Sequence, residues 1–313
     1  MRYSFVIPCY RSEHTIEQVV EELIDEMKEE GLADYEIILV NDCSPDDVWS
    51  VIKQLAQRYH FVHGISLAKN FGQHAALMAG YAKTTGDVVI SLDDDGQAPI
   101  DELYKLLAEL ERDKDVVYAY YREMQQNWFR RLGSAVAAEM GRLLLGAPKD
   151  LKGSSFYVAR RFVIDEMLRY DNAYPYLPGL VCRVTKKIGC VETEHRKRAE
   201  GTSGYNFRKL FSLWLNGFTA FSVKPLEISA WIGVIFAVIG LLGSITTVIR
   251  KLQHPEIAAG WSSIISILLI IGGMIMLMLG LIGEYIGRIY ICINKAPQYV
   301  IKEDTLTQKQ EVG

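Results

Sequence analysis

The stretch Val88-Val89-Ile90-Ser91-Leu92-Asp93-Asp94-Asp95-Gly96-Gln97 sets the reading of the whole chain. Its first half is β-branched and aliphatic without a charge, the pattern of a strand buried on both faces. It ends abruptly in three carboxylates, and Gly96 then allows the backbone to turn. Adjacent acids repel one another and gain nothing by packing, so a positive partner is expected against them. A divalent cation is the simplest one, because hard cations take carboxylate oxygens and then bind phosphate oxygens. A solvated acidic turn is the plainer alternative for this stretch taken alone.

Working outward, residues 1–120 alternate short apolar runs with helical patterns. Tyr3–Ile7, Tyr35–Val40, Phe61–Leu67, Val88–Leu92 and Val116–Tyr120 read as strands. Between the first two, Ile16, Val19, Val20, Leu23, Ile24 and Met27 recur at helical spacing. Strand–helix alternation implies an α/β fold with a mostly parallel sheet covered on both faces, and ligands then bind at the carboxyl ends of its strands. Polar residues collect at those ends: Pro8-Cys9-Tyr10-Arg11-Ser12-Glu13, Asn41-Asp42-Cys43-Ser44-Pro45-Asp46-Asp47, and the acidic triplet. Ser44 or Asp46 alone would pass for a helix cap. Three polar strand ends on one rim exceed what capping requires. Neither the dinucleotide glycine fingerprint nor a phosphate loop with Gly-Lys-Ser/Thr is present, so phosphates would be held through a metal and arginines.

The chain has 313 residues, a net charge of −4 and 50% hydrophobic residues, enough for one large or two modest domains. A mildly acidic balance argues against a nucleic-acid binder. Five scattered cysteines without metal spacing read as free thiols of a reducing compartment, and Met1-Arg2 leads into a strand too brief for a signal peptide. No charge interrupts Ile228–Ile249 or Ile257–Gly283. As helices rising about 1.5 Å per residue, both runs can cross a hydrocarbon core of about 30 Å. They are read as two transmembrane helices, about 228–249 and 258–283, joined by the short Pro255-containing link. With no export signal on the N-terminal domain, both termini are expected in the cytoplasm. The positive charges of Arg208, Lys209, Lys224, Arg288 and Lys295 inside, against Arg250, Lys251 and His254 in the outer loop, lean the same way by a small margin.

Phe5 through Glu13, Val40 through Asp46, and Leu92-Asp93-Asp94-Asp95-Gly96-Gln97 resemble the family 2 glycosyltransferases of GT-A, Rossmann-like fold. The resemblance is closer to their polyprenyl-phosphate branch, which includes dolichyl-phosphate mannose synthase, the bactoprenol glucosyltransferases and the undecaprenyl-phosphate aminoarabinose transferases. Asn70-Phe71-Gly72-Gln73-His74 and Gly283-Glu284-Tyr285-Ile286-Gly287-Arg288 resemble the bacterial members. The resemblance implies that Pro8, Tyr10, Glu13, Asp42 and Asp93 hold the nucleotide-sugar donor. It implies that Asp93 and Asp95 form the Asp-x-Asp motif and that Asp95 with Gln97 binds Mg²⁺ or Mn²⁺. Asp94 takes the variable middle position. Arg122 and Arg131, with Arg130 beside it, match positions where arginines meet phosphates, a task suited to guanidinium; a solvated helix face is the alternative for Arg130 and Arg131.

Gly153-Ser154-Ser155-Phe156 falls where many relatives carry Gly-Asp-Phe. Ser154 replaces that aspartate and Asp150 is the nearest acid, which leaves a general base unassigned. Glu200 through Tyr205 resembles Gly-Glu-Ser-Lys-Tyr without its lysine, and Arg198 is the expected phosphate contact there. His195 through Arg198 would equally suit anionic headgroups. Phe207 to Phe221 has the spacing of a helix lying in the membrane interface, with a core helix as the alternative.

The expected layout is a catalytic domain over 1–204, a juxtamembrane amphipathic helix over 205–224, a membrane hairpin over 225–290 and a cytoplasmic tail over 291–313, disordered after Lys302. The resemblance implies inverting transfer of a sugar, UDP-linked, to a polyprenyl phosphate at the cytoplasmic membrane face. It also implies a homo-oligomer, since relatives assemble as tetramers. A processive polysaccharide synthase of the same superfamily, or a non-catalytic nucleotide-sugar-binding scaffold, are the rivals. The absence of Gln-x-x-Arg-Trp and the small number of spans weigh against the synthase.

Overall fold

The computed structural model describes residues 1–121, 154–194, 260–294 and 296–306, with helical positions 231–235, 238–239, 242, 245–246, 249 and 253. The chain divides into two compact units, Met1–Trp214 with Lys295–Gly313, and Leu215–Asn294.

In the first unit the order is β1 (Tyr3–Cys9), α1 (Ile16–Glu29), β2 (Tyr35–Asn41), α2 (Val48–Arg58), β3 (Val62–Leu67), α3 (Gln73–Tyr81) and β4 (Val88–Ser91). There follow α4 (Leu103–Glu111), β5 (Val116–Tyr121), β6 (Tyr157–Arg160), α5 (Arg161–Leu168), α6 (Leu177–Val184), β7 (Ile188–Thr193) and β8 (Ile301–Asp304). The five strands and the first helix expected from the pattern are all present, with ends shifted by a residue or two. One eight-stranded sheet runs β7-β5-β6-β4-β1-β2-β3-β8. It is parallel through β4-β1-β2-β3 and between β5 and β7, and antiparallel where β6 and β8 enter. The sheet is therefore mixed, with parallel pairing in the majority.

Alternation along the central strands explains the layers. Phe5, Ile7 and Cys9 share a buried cluster with Ile37, Leu39, Ile90 and the apolar stripes of α1, α2 and α4. Val6 and Val40 point the other way, to α3, which is joined on that face by α5. Gly80 permits the close approach: a Cβ there would lie 2.3 Å from Val6 Cγ1. Strands buried on both faces leave only their ends for polar work. The register Cys9↔Asn41 and Val6↔Ser91 brings the ends of β1, β2 and β4 to one rim.

Two expectations fail. Residues 303–306, expected in a disordered tail, are ordered. Residues 301–304 form β8, antiparallel on β3, with Leu67 opposite Ile301 and Ile65 opposite Asp304. Trp49 Nε1 donates to Glu303 at 3.0 Å, Lys83 pairs with Asp304 at 2.7 Å, and the Gly64 amide donates to Thr305 Oγ1 at 2.9 Å. The charges of Lys302, Glu303 and Asp304 suit an edge strand, which must not invite further pairing.

The apolar helix also ends later than expected. In the second unit α7 spans Trp261–Ile293, 33 residues or about 50 Å, and does not stop near 283. Glu284 and Arg288 interrupt the charge-free run without breaking the helix, since neither side chain costs helical propensity. Its Ile270–Gly287 window has a mean hydropathy of 1.8 and is not buried in the protein. Ile267, Ile271, Met276, Ile282 and Ile289 lie exposed along it, while Met274, Met278, Leu281 and Tyr285 are half-buried on one face, the pattern of a membrane helix that packs along one side. Among the described residues this is the one helix long and apolar enough to cross a membrane. Residues 122–153, 195–230 and half of the proposed 228–249 span lie outside the described set, and with them Arg122, Arg130, Arg131, Asp150, Arg198 and the juxtamembrane helix.

Candidate active site

Backbone geometry marks the rim. Arg11 and Cys43, each two residues beyond the ends of β1 and β2, have φ of 60° and 50°, where a side chain is costly. Gly96, at φ 71°, supplies the turn after the acids without that cost. Such left-handed residues persist where surrounding contacts hold them.

Hydrogen bonds between the loops supply those contacts. Asp42 is buried, and its two oxygens accept the Phe71 and Gly72 amides at 2.7 and 2.8 Å. Burial pushes its carboxyl up, and the two amides work against that rise. Asp42 thus shapes the Asn70–Gly72 turn that starts α3. Glu13 locks the β1 and β2 loops together: its amide donates to Asp46 at 3.0 Å, and its carboxylate accepts the Asp47 amide at 2.8 Å. Ser44 Oγ donates to Asp46 and accepts the Arg11 amide, so Ser44 and Asp46 tie loops rather than cap α2.

The acid triplet is divided by role. Asp93 is bracketed by Gln73 Nε2 at 2.8 Å on one oxygen and by Ser155 Oγ on the other. Asp94 turns inward. It accepts the Tyr10 amide at 2.9 Å, while its backbone carbonyl accepts Thr15 Oγ1 at 2.7 Å. Burial pushes the Asp94 carboxyl up to about 6, and the Asp93 charge adds to this against the pull of the Tyr10 amide. Asp95 accepts the amide of Gln97 at 3.1 Å. Pro8 is buried at the end of β1, and Tyr10 is exposed on the rim with Arg11 at 5.6 Å from its ring.

The glycosyl transferase family 2 profile matches residues 4–168, and the profile of the GtrB C-terminal hairpin matches residues 224–289. The chain is 33% identical to the undecaprenyl-phosphate 4-deoxy-4-formamido-L-arabinose transferase of Proteus mirabilis, over 96% of this chain and 93% of that protein. The chain belongs to glycosyl transferase family 2. A Bacillus subtilis glycosyltransferase, YkcC, is 31% identical to it over 97% of this chain and 94% of its own length. Among solved structures, glucosyl-3-phosphoglycerate synthase from Mycobacterium tuberculosis, crystallised with Mn²⁺ and UDP-glucose, has the same fold. It overlays with a TM-score of 0.51 at 20% identity, covering 70% of this chain and 77% of that one.

In this glycosyltransferase the fold gathers Pro8, Tyr10, Glu13, Asp42, Asp93, Asp95 and Gln97 on one rim. It also uses two residues that the sequence left without a role, Gln73 and Ser155. Ser155 had a findable signal once β6 is known to run antiparallel to β4. Ser91 opposes Tyr157, so two residues further on Asp93 opposes Ser155. The direction of β6 is a tertiary fact, which is why spacing alone missed it. Ser154, in the position of the replaced aspartate, donates to the Phe156 carbonyl at 3.0 Å.

No group of three or more metal-ligating side chains is preassembled among the described residues. The donors that are present, carboxylates and an amide oxygen, fit Mg²⁺ or Mn²⁺, which commonly bind through one or two carboxylates and complete their shell with substrate phosphates. Asp95 and Gln97, two residues apart across the Gly96 turn, are the pair that would hold such an ion, with Asp93 beside them. Cys9, Cys43, Cys182 and Cys190 form no disulfides.

Proposed function

We propose that this glycosyltransferase moves a sugar from a nucleotide-sugar donor, UDP-linked, to the phosphate of a polyprenyl lipid at the cytoplasmic face of a membrane. The observation that carries the reading is a rim of interlocked acids in a chain that also contains a long apolar helix with much of its surface exposed. The named function of the Proteus mirabilis relative, aligned over nearly its full length, supports the acceptor class.

Donor binding falls to Pro8, Tyr10, Glu13 and Asp42 on the β1 and β2 ends, and to Asp93. A divalent ion held by Asp95 and Gln97 would neutralise charge on the departing nucleoside diphosphate. Arg122, Arg131 and Arg198 are assigned to the phosphates by the resemblance. The acceptor needs no strong base, because a lipid phosphate is already ionised near neutral pH. Its oxygen forms the bond to the anomeric carbon as the bond from that carbon to the diphosphate oxygen breaks, so an α-linked donor gives a β-linked product. The rate then depends on orientation and charge stabilisation, which agrees with a serine at position 154.

The return of β8 to β3 bears on topology. Both ends of the 215–294 segment belong to chain that continues from or into one sheet, which supports an even number of crossings. Two crossings, with both termini cytoplasmic, is the arrangement proposed. The test is turnover: purified full-length protein with Mn²⁺, a panel of nucleotide sugars and undecaprenyl phosphate. A polyprenyl-phosphate-linked monosaccharide from one donor is the expected product. Growth of a polymer would replace the reading with a processive synthase, and nucleotide binding without glycolipid from any donor would replace it with a scaffold.

A further inference from the structure

The segment after α7 does more than complete the sheet. Because β8 runs antiparallel to β3, it starts at the rim where the acids lie, and residues 296–300 approach it along that rim. The Ala68 amide donates to the Val300 carbonyl at 2.9 Å. Gln298 is 8% exposed, and its side-chain amide donates to two backbone carbonyls, Tyr170 at 3.2 Å and Asn172 at 3.0 Å. Both belong to the loop between α5 and α6. At its far end that loop grips the start of α3: His74 Nδ1 donates to the Pro175 carbonyl at 3.3 Å, and the rings of His74 and Tyr176 lie 5.6 Å apart. Burial holds the imidazole below its ordinary pKa, which keeps it neutral for this contact. The next residue back is Gln73, whose amide fixes Asp93.

We propose that Gln298 is a positioning residue. It ties the segment leaving the apolar helix to the 170–176 loop and, through His74, sets the α3 N-terminus that orients Asp93. The chemistry of the side chain suits the task. Two N–H donors on one planar amide meet two carbonyls of a loop with no regular structure. Only three residues separate Asn294 from Gln298, so the fixing point follows the helix at once. The role of this tie in transfer rests on the proposed function, whereas the physical coupling does not.

Full-length Gln298→Ala and Gln298→Glu separate the two. Hydrogen exchange on the protein in detergent is expected to rise in 170–176 and also in 72–78 for the alanine variant, with 35–41 unchanged. The glutamate variant, which sets a carboxylate against two carbonyls, is expected to show the larger rise. In turnover with undecaprenyl phosphate, kcat falls about tenfold, less than the ~10²-fold that a 1 Å misplacement can cause, while the Kd for UDP in Mn²⁺ stays within about twofold. Exchange confined to 296–306, or a lowered Tm with kcat per folded molecule unchanged, overturns the proposal. Coupled exchange in a protein that makes no glycolipid leaves the tie standing and removes the functional reading instead.

Discussion

Asp94→Asn should stabilise this protein, and the gain should depend on pH. Asp94 has an ordinary carboxyl value of 3.8 and sits near 6 in the fold because burial disfavours its charge. An acid raised on folding keeps its proton in the native state over a window where the unfolded chain has lost it. Stability therefore falls as pH rises from 3.8 to about 6 and stays reduced above that. A shift of about two units corresponds to at most about 3 kcal/mol at pH 8 and about half of that at pH 5. Asp94 keeps part of its surface in water, so screening brings the expected gain nearer 2 kcal/mol. Asparagine retains an acceptor oxygen for the Tyr10 amide and removes the charge. For a domain of this size the gain amounts to roughly 4–8 °C in Tm. Thermal unfolding of the EDTA-treated full-length variant at pH 8 and pH 5 measures both the gain and its decline. A Tm unchanged or lowered at pH 8, or raised equally at both pH values, would refute the account of Asp94 as a buried, charge-strained latch between the β1 loop and the acid turn.

Asp95→Ala should lower glycolipid formation by about 10²-fold or more while expression and Tm hold; full activity would remove Asp95 from the site. Ser155→Ala leaves one Asp93 oxygen without its donor and should cost about tenfold in kcat, with Ser155→Thr restoring most of it. Equal activity of the alanine and threonine variants would show that the bracket on Asp93 is not used. At the opposite end of the sheet, Glu36 accepts hydrogen bonds from Ser4, from the amide and hydroxyl of Thr85, and from Arg2. Burial pushes its carboxyl up, but these partners together hold it below its ordinary value. Its stabilisation is present above the unfolded value and is lost as pH falls through the folded one. Glu36→Ala should therefore cost about 2–4 kcal/mol at pH 7 and progressively less as pH falls below the ordinary 4.5 and through the lowered folded value, read from Tm. A cost that does not vary with pH would assign the loss to packing.

Five strands, the first helix, the acid rim and the apolar character of 257–283 are legible without coordinates. Periodicity and charge-free runs follow from burial on two faces or in lipid, and both are local properties of the chain. The weaker readings fall on residues whose partners are distant. Asp94 is a variable position by motif, yet the Tyr10 amide decides what it does. Glu13 and Asp42 read as donor contacts, and each also holds a neighbouring loop in shape.

What the sequence settles by itself is the alternation that makes an α/β domain, the three polar strand ends, and an apolar helix too long and too uniformly greasy for a small core. Ile301-Lys302-Glu303-Asp304 carries no such pattern, because an edge strand takes its order from the open hydrogen-bonding edge of β3 and not from its own side chains. Ser155 likewise meets Asp93 only because β6 runs against β4. Pairings between segments far apart in the chain are chosen by which edges and ends the finished sheet leaves open, and only the assembled fold makes that choice.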